Sequence, residues 1–523
     1  MEQKHERPEF ITNFKKPQAT EIKHINGHWY LYERKTKYDP STQKSRKVSG
    51  RLLGTITESG LVPRQTKVAD AFNLEVREFG AYQYFYEHTQ TMREKLMEYF
   101  PGSWKQIYTV AILRTVYGCR FKRLEAHYQD SFASLAYPSL ALSSSSLTLL
   151  LRNLGRNREA IRLFMGSIRG DKGRYILVDG HRILSSSKTV DHAQLGYDSK
   201  MRYKPQLNLI YLFSLGDDCA FPEYYKQYGG SITDGSAFSD ILSEAGIDEQ
   251  GVTFVGDKGF MSQANCSLLD DCGLHYIIPL KRGNAYVQGK VPQQPLHYSF
   301  SFTYHGRSIF ASTFAFEDCN VHLYRDTVLF DSEMADLISR DEKRNSVILA
   351  KAEKERRRRE EGKGRLSDKA LAALVPTENA LQNGDTTEMG TLSIKTNRKE
   401  LNAHQVYAIY KQRQAIEQYF KTYGDTMNYD DSYLRSNESF EGWLFLNHLS
   451  LMMTVDAIEE IYLHGKEKDI SFEDLRQLLT KVRANKFADD WHPCKKTQKV
   501  ISLCESLDIN ISEISVPYRK SAT

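Results

Sequence analysis

The sequence predicts a mixed α/β protein with more than one domain. Short apolar runs typical of buried strands alternate with helical patterns between residues 175 and 280. The 523 residues are too many for one ordinary domain and allow three or four. An apolar fraction of 40%, with 11% aromatic residues, is ample for sizeable cores and excludes a disordered chain.

The first part of the chain, residues 1–75, predicts a small basic module rich in β structure. Apolar and polar positions alternate around two turn-like pairs, Asp39-Pro40 and Ser49-Gly50. Residues 1–70 carry 14 Lys/Arg and 8 Asp/Glu, whereas the formal charge of the whole chain is only +5. This basic segment suggests a polyanionic partner, and a solvated tail is the alternative.

Residues 76–170 predict a helical region, because the spacing of apolar residues there follows the helical period in runs such as Leu147–Met165. Four arginines lie on that last run, and they face either phosphate groups or solvent. They are Arg152, Arg156, Arg158 and Arg162.

Residues 171–284 predict a mixed sheet flanked by helices. Three strands in series precede an alternation of helix and strand. The expected strands are Tyr175–Asp179, Leu207–Phe213, Glu223–Tyr228, Val252–Asp257 and His275–Leu280, and the expected helices are Ala237–Ala245 and Gln263–Cys272.

Residues 285–400 interrupt this alternation and predict an insertion whose first half is β-rich. Its second half holds the charged run Lys351–Arg365, which includes four consecutive arginines. Such a run predicts a solvated helix or a mobile linker, and a DNA-contacting helix is the less favoured alternative. Residues 401–465 return to the core with one polar helix and one apolar helix from Ser439 to about Leu463, and 466–523 predict a helical tail.

Three acidic residues are candidates for a shared site. Asp179 and Asp257 each end a predicted strand, and ligands collect at the corresponding edge of open α/β sheets. The third, Glu417, lies on the polar helix. Its neighbours Tyr410, Arg413 and Lys421 are spaced to share one helical face with it.

Three converging carboxylates repel one another unless a cation joins them. Carboxylate oxygens suit Mg²⁺ or Mn²⁺, and two such ions can support phosphoryl transfer. The alternative is structural: an Asp after a strand is commonly a turn or cap residue, and a Glu among cations commonly forms a salt bridge.

The remaining composition predicts a cytoplasmic protein. The seven cysteines are scattered without a C-x-x-C pair, which favours reduced thiols over disulfides or a zinc site. No secretion signal opens the sequence. The longest apolar stretch, around Trp443–Val455, is too short to span a bilayer, so we expect no membrane contact.

Three blocks of the sequence resemble the DDE transposases of bacterial insertion sequences. They are Ile176-Leu-Val-Asp179-Gly; Gly229-Gly-Ser-Ile-Thr-Asp234 followed by Val255-Gly-Asp257-Lys-Gly-Phe260; and Tyr410 with Arg413 and Glu417. The resemblance covers roughly residues 174–460. It points to the branch, of the insertion-sequence class four type, marked by a Tyr-x2-Arg-x3-Glu-x6-Lys signature.

This resemblance implies a ribonuclease-H-like catalytic core in which Asp179, Asp257 and Glu417 bind two Mg²⁺ or Mn²⁺ ions. Tyr410 and Arg413 then hold one DNA phosphate and Lys421 another, and residues 76–170 contribute to DNA binding. The implied activity is that of a nucleoid-associated bacterial or archaeal protein. It binds terminal inverted repeats of double-stranded DNA as a homodimer, cleaves them and joins the 3′-hydroxyl ends to target DNA.

The chain departs from the family pattern at three points. Gly424 stands where the signature has its final Lys, and Lys421 is the nearest substitute. His181 stands where relatives often have a small hydroxyl residue, and it either packs in the fold or touches metal or DNA. Residues 285–400 contain no Trp to stack a flipped base, so hairpin formation stays open. Other aromatic side chains in the insertion are Tyr304, Phe310, Phe314 and Phe316.

Two other functions are compatible with these residues. One is a DNA-binding descendant that has lost catalysis, which Gly424 favours and the three retained carboxylates oppose. The other is a ribonuclease-H-like nuclease that cuts DNA without joining it. The long insertion and the Tyr410 helix favour binding of element ends instead.

Overall fold

A computed structural model describes most of the chain. The described residues are 7–39, 44–64, 75–168, 175–197, 203–215, 220–247, 251–260, 262–376, 386–413, 434–487 and 490–517. The chain divides into two compact units. One is Met1–Val76 with Asn485–Trp491, and the other is Arg77–Ala484 with His492–Thr523.

The smaller unit contains a four-stranded antiparallel sheet whose strands follow chain order. A short helix, Glu9–Thr12, precedes it. The strands are β1 (Thr20–Ile25), β2 (His28–Asp39), β3 (Lys44–Thr57) and β4 (Gly60–Pro63), and β5 (Val76–Glu78) follows them. Ile11, Leu31 and Ile56 form the buried core of this unit.

One of the two predicted turns in the smaller unit is wrong. Ser49-Gly50 lies inside β3, where a Cβ on Gly50 would come 2.9 Å from the Cβ of Glu33 on β2. Glycine is therefore needed at position 50, where the two strands approach closely beside a bulge in β3. A tight turn falls instead at Asn26-Gly27, whose φ angles of 50° and 81° suit a two-residue hairpin.

The larger unit begins with helices. They are Gly80–His88, Gln90–Tyr99, Trp104–Tyr117, Leu124–Asp130, Ala133–Ala136, Ser144–Arg156 and Arg158–Ile168, with a 3₁₀ turn at Phe121–Arg123. The run predicted as one helix over Leu147–Met165 is two helices, because Asn157 leaves the helical conformation with φ −109° and ψ 49°.

A ten-stranded mixed sheet organises the larger unit. Its strands are β6 (Tyr175–Leu184), β7 (Gln194–Tyr197), β8 (Tyr203–Leu215), β9 (Ala220–Gly229), β10 (Thr253–Val255), β11 (His275–Leu280), β12 (Phe300–Tyr304), β13 (Arg307–Ala315), β14 (Asn320–Asp326) and β15 (Thr391–Thr396). Their order is β12-β13-β14-β15-β11-β10-β6-β8-β7, and β9 also pairs with β8. Strand β10 runs parallel to β6 and β11, and the other pairs are antiparallel. The predicted mixed α/β class is confirmed.

The prediction that Asp179 ends its strand is wrong. Strand β6 continues to Leu184, because β8 pairs with it along this whole stretch, down to Leu184 opposite Gln206. A strand paired on one side keeps its conformation for as long as its neighbour supplies hydrogen-bonding groups. Asp179 therefore projects from the middle of β6.

Further helices flank the sheet and follow it. They are Asp234–Ala245, Gln263–Asp271, Thr327–Glu360, Asp368–Ala372, 403–413, Asn437–Leu463, Phe472–Leu479 and Gln498–Ser506, with short strands β16 (Arg483–Phe487) and β17 (Asp490–Pro493) between the last two. The Asn437–Leu463 helix is buried along most of its length and lies close to Ser144–Arg156. A Cβ on Gly442 would come 2.1 Å from the carbonyl oxygen of Leu151. Within the described ranges, no helix is long and apolar enough to cross a membrane.

Strands from the predicted insertion belong to the same sheet as the strands of 171–284. Strands β14 and β15 pair directly, and we call the described chain between them, residues 327–376 and 386–390, the arm. Its main element is the 34-residue helix Thr327–Glu360, the arm helix. The charged run from Lys351 is helical as far as Glu360, as both the solvated-helix and the DNA-contacting alternatives predict. The domain boundaries at 285 and 400 stay predictions.

Candidate active site

The parallel pairing of β6 and β10 brings two predicted site residues to neighbouring positions. Val255, the last residue of β10, lies opposite Leu177 of β6. Asp257 and Asp179 each follow their member of this pair by two residues. Because side chains alternate along a strand and adjacent strands lie about 4.8 Å apart, the two carboxylates meet on one face of the sheet.

The third element of the site is the helix 403–413, which begins at a reciprocal cap. The N–H of Gln405 donates to the Asn402 side chain at 2.9 Å, and the N–H of Asn402 donates to the Gln405 side chain at 3.0 Å. Such a capping box satisfies two N–H groups that a helix start otherwise leaves without partners.

Aromatic packing anchors this helix on the insertion strands. Tyr407 is 1% exposed and its ring lies 4.9 Å from that of Tyr324 on β14. It also makes edge contacts with Phe302 and Tyr304 of β12. The Tyr324 hydroxyl donates to the Ala403 carbonyl at 2.8 Å. The insertion strands therefore determine where the next turns of the helix lie.

Arg413, in the last described turn of this helix, contacts both aspartates. One guanidinium nitrogen lies 3.3 Å from Asp179 Oδ1 and 3.3 Å from Asp257 Oδ2. The side chain of Arg413 is 15% exposed, that of Asp179 is 14% exposed and that of Asp257 is 41% exposed. Charge-assisted hydrogen bonds are commonly 2.7–2.9 Å, so these are looser ion pairs. A cation thus bridges two carboxylates that repel each other without one.

Asp234 lies beside this pair, although the sequence assigned it no role. It begins the helix Asp234–Ala245, and its carboxylate accepts from Arg182 at 2.9 Å and from Asn208 at 2.7 Å. A Cβ on Gly259 would come 3.4 Å from oxygens of both Asp234 and Asp257.

Two glycines make this arrangement of carboxylates possible. A Cβ on Gly180, next to Asp179, would come 2.9 Å from the Asp234 carboxylate. The N–H of Gly259 donates to Asp257 and orients it. The sequence blocks include Asp234 but gave it no role in the site. The glycines close to Asp179 and Asp257, Gly180 and Gly259, are the sequence signal that another group approaches there.

The other predicted site residues are only partly described. Tyr410 is half-buried on the same helix, one turn before Arg413. His181 follows Asp179 by two residues on β6 and is half-buried on the same face. Glu417, Lys421 and Gly424 lie outside the described residues. Among the residues that are described, no group of three or more His, Cys, Asp or Glu side chains is placed to hold a metal ion.

The comparison with protein families identifies the class of this protein. The family described as the transposase DDE domain matches residues 170–453, which is more than half of the chain and includes β6, β10 and the helix 403–413. The chain belongs to the transposase DDE domain family, and it is a transposase by class. Its mixed α/β sheet is consistent with the ribonuclease-H-like fold expected of that family. The search of curated proteins found no match.

Proposed function

We propose that this transposase binds the inverted repeats of a mobile element, cleaves the element ends and joins their 3′-hydroxyl groups to target DNA. The observation that carries this proposal is the contact of Arg413 with both aspartates. Arg413 is 234 residues from Asp179 and 156 residues from Asp257 in sequence, yet one nitrogen reaches both. Residues selected from the sequence as one site therefore converge in space.

The chemistry of the donor set fits divalent cations. Asp179 and Asp257 offer carboxylate oxygens on one face of the sheet, and Glu417, four residues after Arg413 in the sequence, is the proposed third ligand. Arg413 serves as a stand-in cation between the two aspartates. When bound, two Mg²⁺ or Mn²⁺ ions supply an activated water and charge stabilisation for the leaving oxygen.

The roles of the surrounding side chains follow from their chemistry. The Gly259 N–H keeps Asp257 turned toward Asp179. Arg413 exchanges its two aspartates for a DNA phosphate, which its planar guanidinium binds well. Tyr410 offers a hydroxyl to the same phosphate from the preceding turn, and Lys421 supplies a point charge further along the chain.

Three finer assignments belong to the same proposal. We assign the chain to the branch with the Tyr-x2-Arg-x3-Glu-x6-Lys signature, with Lys421 in place of the final lysine. A homodimer holds the two element ends. Duplex DNA is the partner both as element end and as target.

The test is cleavage of a duplex carrying the element's own terminal sequence, by the unmutated protein and by Asp257→Asn. We expect the variant to lose at least about a thousandfold in cleavage rate, as for removal of a group that stabilises transition-state charge, while end binding changes less than about threefold. Asp271→Asn, an exposed residue of the helix Gln263–Asp271, is the matched control. Equal cleavage by Asp257→Asn contradicts the assigned triad. Cleavage without joining of pre-cut ends supports a nuclease instead.

A further inference from the structure

The arm begins and ends at neighbouring positions of the sheet. It leaves after β14 and returns at β15, where the Asp326 N–H donates to the Gly390 carbonyl at 2.9 Å. The Asp326 carboxylate caps the arm helix by accepting from the N–H groups of Val328 at 2.9 Å and Leu329 at 3.2 Å. At 1.5 Å per residue, its 34 residues extend about 51 Å.

Charge is sorted along the arm. Its first part, residues 327–350, carries 3 Lys/Arg and 5 Asp/Glu. The following stretch, residues 351–369, carries 9 Lys/Arg and 5 Asp/Glu, and we call this stretch the tip. The part near the sheet is therefore net acidic, and the tip holds a surplus of four positive charges.

The tip is folded in a defined conformation. Glu355, 4% exposed, accepts from the N–H groups of Arg365 and Leu366, the latter at 2.7 Å. Arg359 donates to the Leu366 carbonyl at 2.6 Å and pairs with Asp368. These contacts hold the chain as it turns back after Glu360, so the cations of the tip are displayed on a fixed surface.

Several acids of the tip already have partners. Glu353 pairs with Arg357, Asp368 with Arg359, and Glu361 with Lys363, while Glu355 binds backbone N–H groups. In the described part of the chain, the cations of the tip that form no ion pair are Lys351, Lys354, Arg356, Arg358, Arg365 and Lys369.

Three of these cations form a strip. Lys351, Lys354 and Arg358 are spaced by three and four residues, which places them on one face of the arm helix. Cations in the last turn of a helix interact favourably with the helix dipole, and this interaction accounts for the position of Arg358. The dipole does not account for Lys351, two turns earlier, or for Arg365, beyond the helix end.

We propose that the tip of the arm is a docking surface for the phosphate backbone of duplex DNA. The inference rests on the proposed function, because it assumes that DNA is the partner. Exposed Lys and Arg side chains without acidic partners are the groups that release counterions from a duplex. The strip presents charges along a helix and therefore binds phosphates regardless of base sequence.

The experiment compares two double variants that each remove two positive charges from exposed positions of the arm helix. The test variant is Lys351→Gln with Lys354→Gln. The matched control is Arg340→Gln with Lys343→Gln, near the sheet, where Arg340 pairs with the exposed Asp336. Glutamine keeps helix propensity, and circular dichroism verifies the helix content of both variants.

The readout is fluorescence anisotropy with a duplex of arbitrary sequence, about 40 base pairs long, between 50 and 200 mM NaCl. We expect the test variant to bind about tenfold or more weakly near 100 mM NaCl. Its slope of log affinity against log salt should be smaller by about two, since each phosphate contact contributes about 0.9. The control should lose less than about twofold.

Each other outcome overturns the inference in a recognisable way. Equal losses in both variants mean that only net charge matters, and unchanged affinity in the test variant means that the tip does not touch DNA. If the test variant instead loses self-association in sedimentation, its partner is a second copy of the chain. If the unmutated protein does not bind duplex DNA, the proposed function fails together with the inference.

Discussion

Two arginines of this protein each lie between two acids, and their surroundings differ. Arg158 contacts Glu244 at 2.8 Å and Glu441 at 2.8 Å. Arg413 contacts Asp179 and Asp257 at 3.3 Å each. The first bridge joins the helix Arg158–Ile168 to two other helices, and the second joins the helix 403–413 to β6 and to the residue that follows β10 by two positions.

The acids of the Arg158 bridge have additional donors. Glu441, 5% exposed, also accepts from Tyr225 at 2.8 Å and from Gln227 at 2.7 Å. Burial alone would raise the pKa of Glu244, but hydrogen bonds from Lys226, Tyr224 and Arg158 outweigh it and lower that pKa to about 2. A bridge in which each acid has several donors is a structural clamp.

The Arg413 bridge differs in ion-pair length and in the exposure of one acid. Its ion pairs are longer, and Asp257 is 41% exposed, although Arg413 (15%) and Asp179 (14%) are less exposed than Arg158 (28%). Loss of Arg158 would leave the buried Glu441 without its cation. The comparison teaches that short ion pairs to acids with several donors serve stability, whereas longer pairs with one solvent-exposed acid allow one cation to replace another.

The largest expected effect is the loss of folding stability when Arg158 is replaced. Arg158→Met should lower the free energy of unfolding by about 3–5 kcal/mol, because Glu441 and Glu244 lose their shared cation in a buried site. Chemical denaturation at pH 7 measures it. The control Arg162→Met removes the exposed pair with Glu159 and should cost less than about 1 kcal/mol. Similar values for both variants would mean that Arg158 is not a clamp.

A buried acid hydrogen-bonded to neutral donors sharpens the comparison through pH. Burial raises the pKa of Glu78 to about 8. It outweighs the N–H groups of Ala81 and Tyr82, the Tyr117 hydroxyl and the charge of Arg483, all of which lower that pKa. The folded state therefore favours the protonated form. The free energy of unfolding should fall as pH rises from the ordinary value of 4.5 towards 8.

The variant Glu78→Gln should remove this pH dependence, which we expect to be on the order of 2 kcal/mol between pH 5 and pH 8. Denaturation curves at the two pH values measure it. Glu94→Gln, at an exposed position of the helix Gln90–Tyr99, should leave the difference unchanged. A difference that persists in Glu78→Gln would assign the pH dependence to another group.

The smallest effect concerns metal binding at the looser bridge. Arg413→Ala should tighten Mn²⁺ binding to the DNA-free protein about fivefold, because a competing cation worth about 1 kcal/mol is removed. Electron paramagnetic resonance of free Mn²⁺ during a titration measures it. Arg282→Ala, which removes an ion pair with Glu333 elsewhere, is the control. Unchanged or weaker Mn²⁺ binding in Arg413→Ala would contradict the stand-in role.

The sequence was sufficient to predict the α/β class. The structure brings Asp179, Asp257 and Arg413 into contact, and their role as site residues stays a prediction. Strand-like apolar runs and helical spacing are local features of the sequence, and they correspond to strands and helices in the structure. The end of β6 was predicted wrongly at Asp179, since the strand is prolonged by its partner β8 and not by its own apolar pattern. Pairing of distant strands leaves no local trace.

Side-chain partners were harder to predict. Nothing around Arg158 distinguishes it from Arg162 in the sequence, yet one is clamped between buried acids and the other forms an exposed pair. Asp234 was likewise missed as a neighbour of Asp257, because the contact depends on how a helix start meets the sheet. Glu417 and Lys421 stay predictions.

The direct pairing of β14 with β15 has a consequence for changes in the length of the arm. Because the chain leaves and re-enters the sheet at adjacent points, Asp326 and Gly390, the arm is a closed loop in thermodynamic terms. The entropy of closing such a loop grows only with the logarithm of its length, about 0.6 kcal/mol for each doubling. Lengthening or shortening the arm should therefore change the free energy of folding little, and the pairing of β14 with β15 should stay intact.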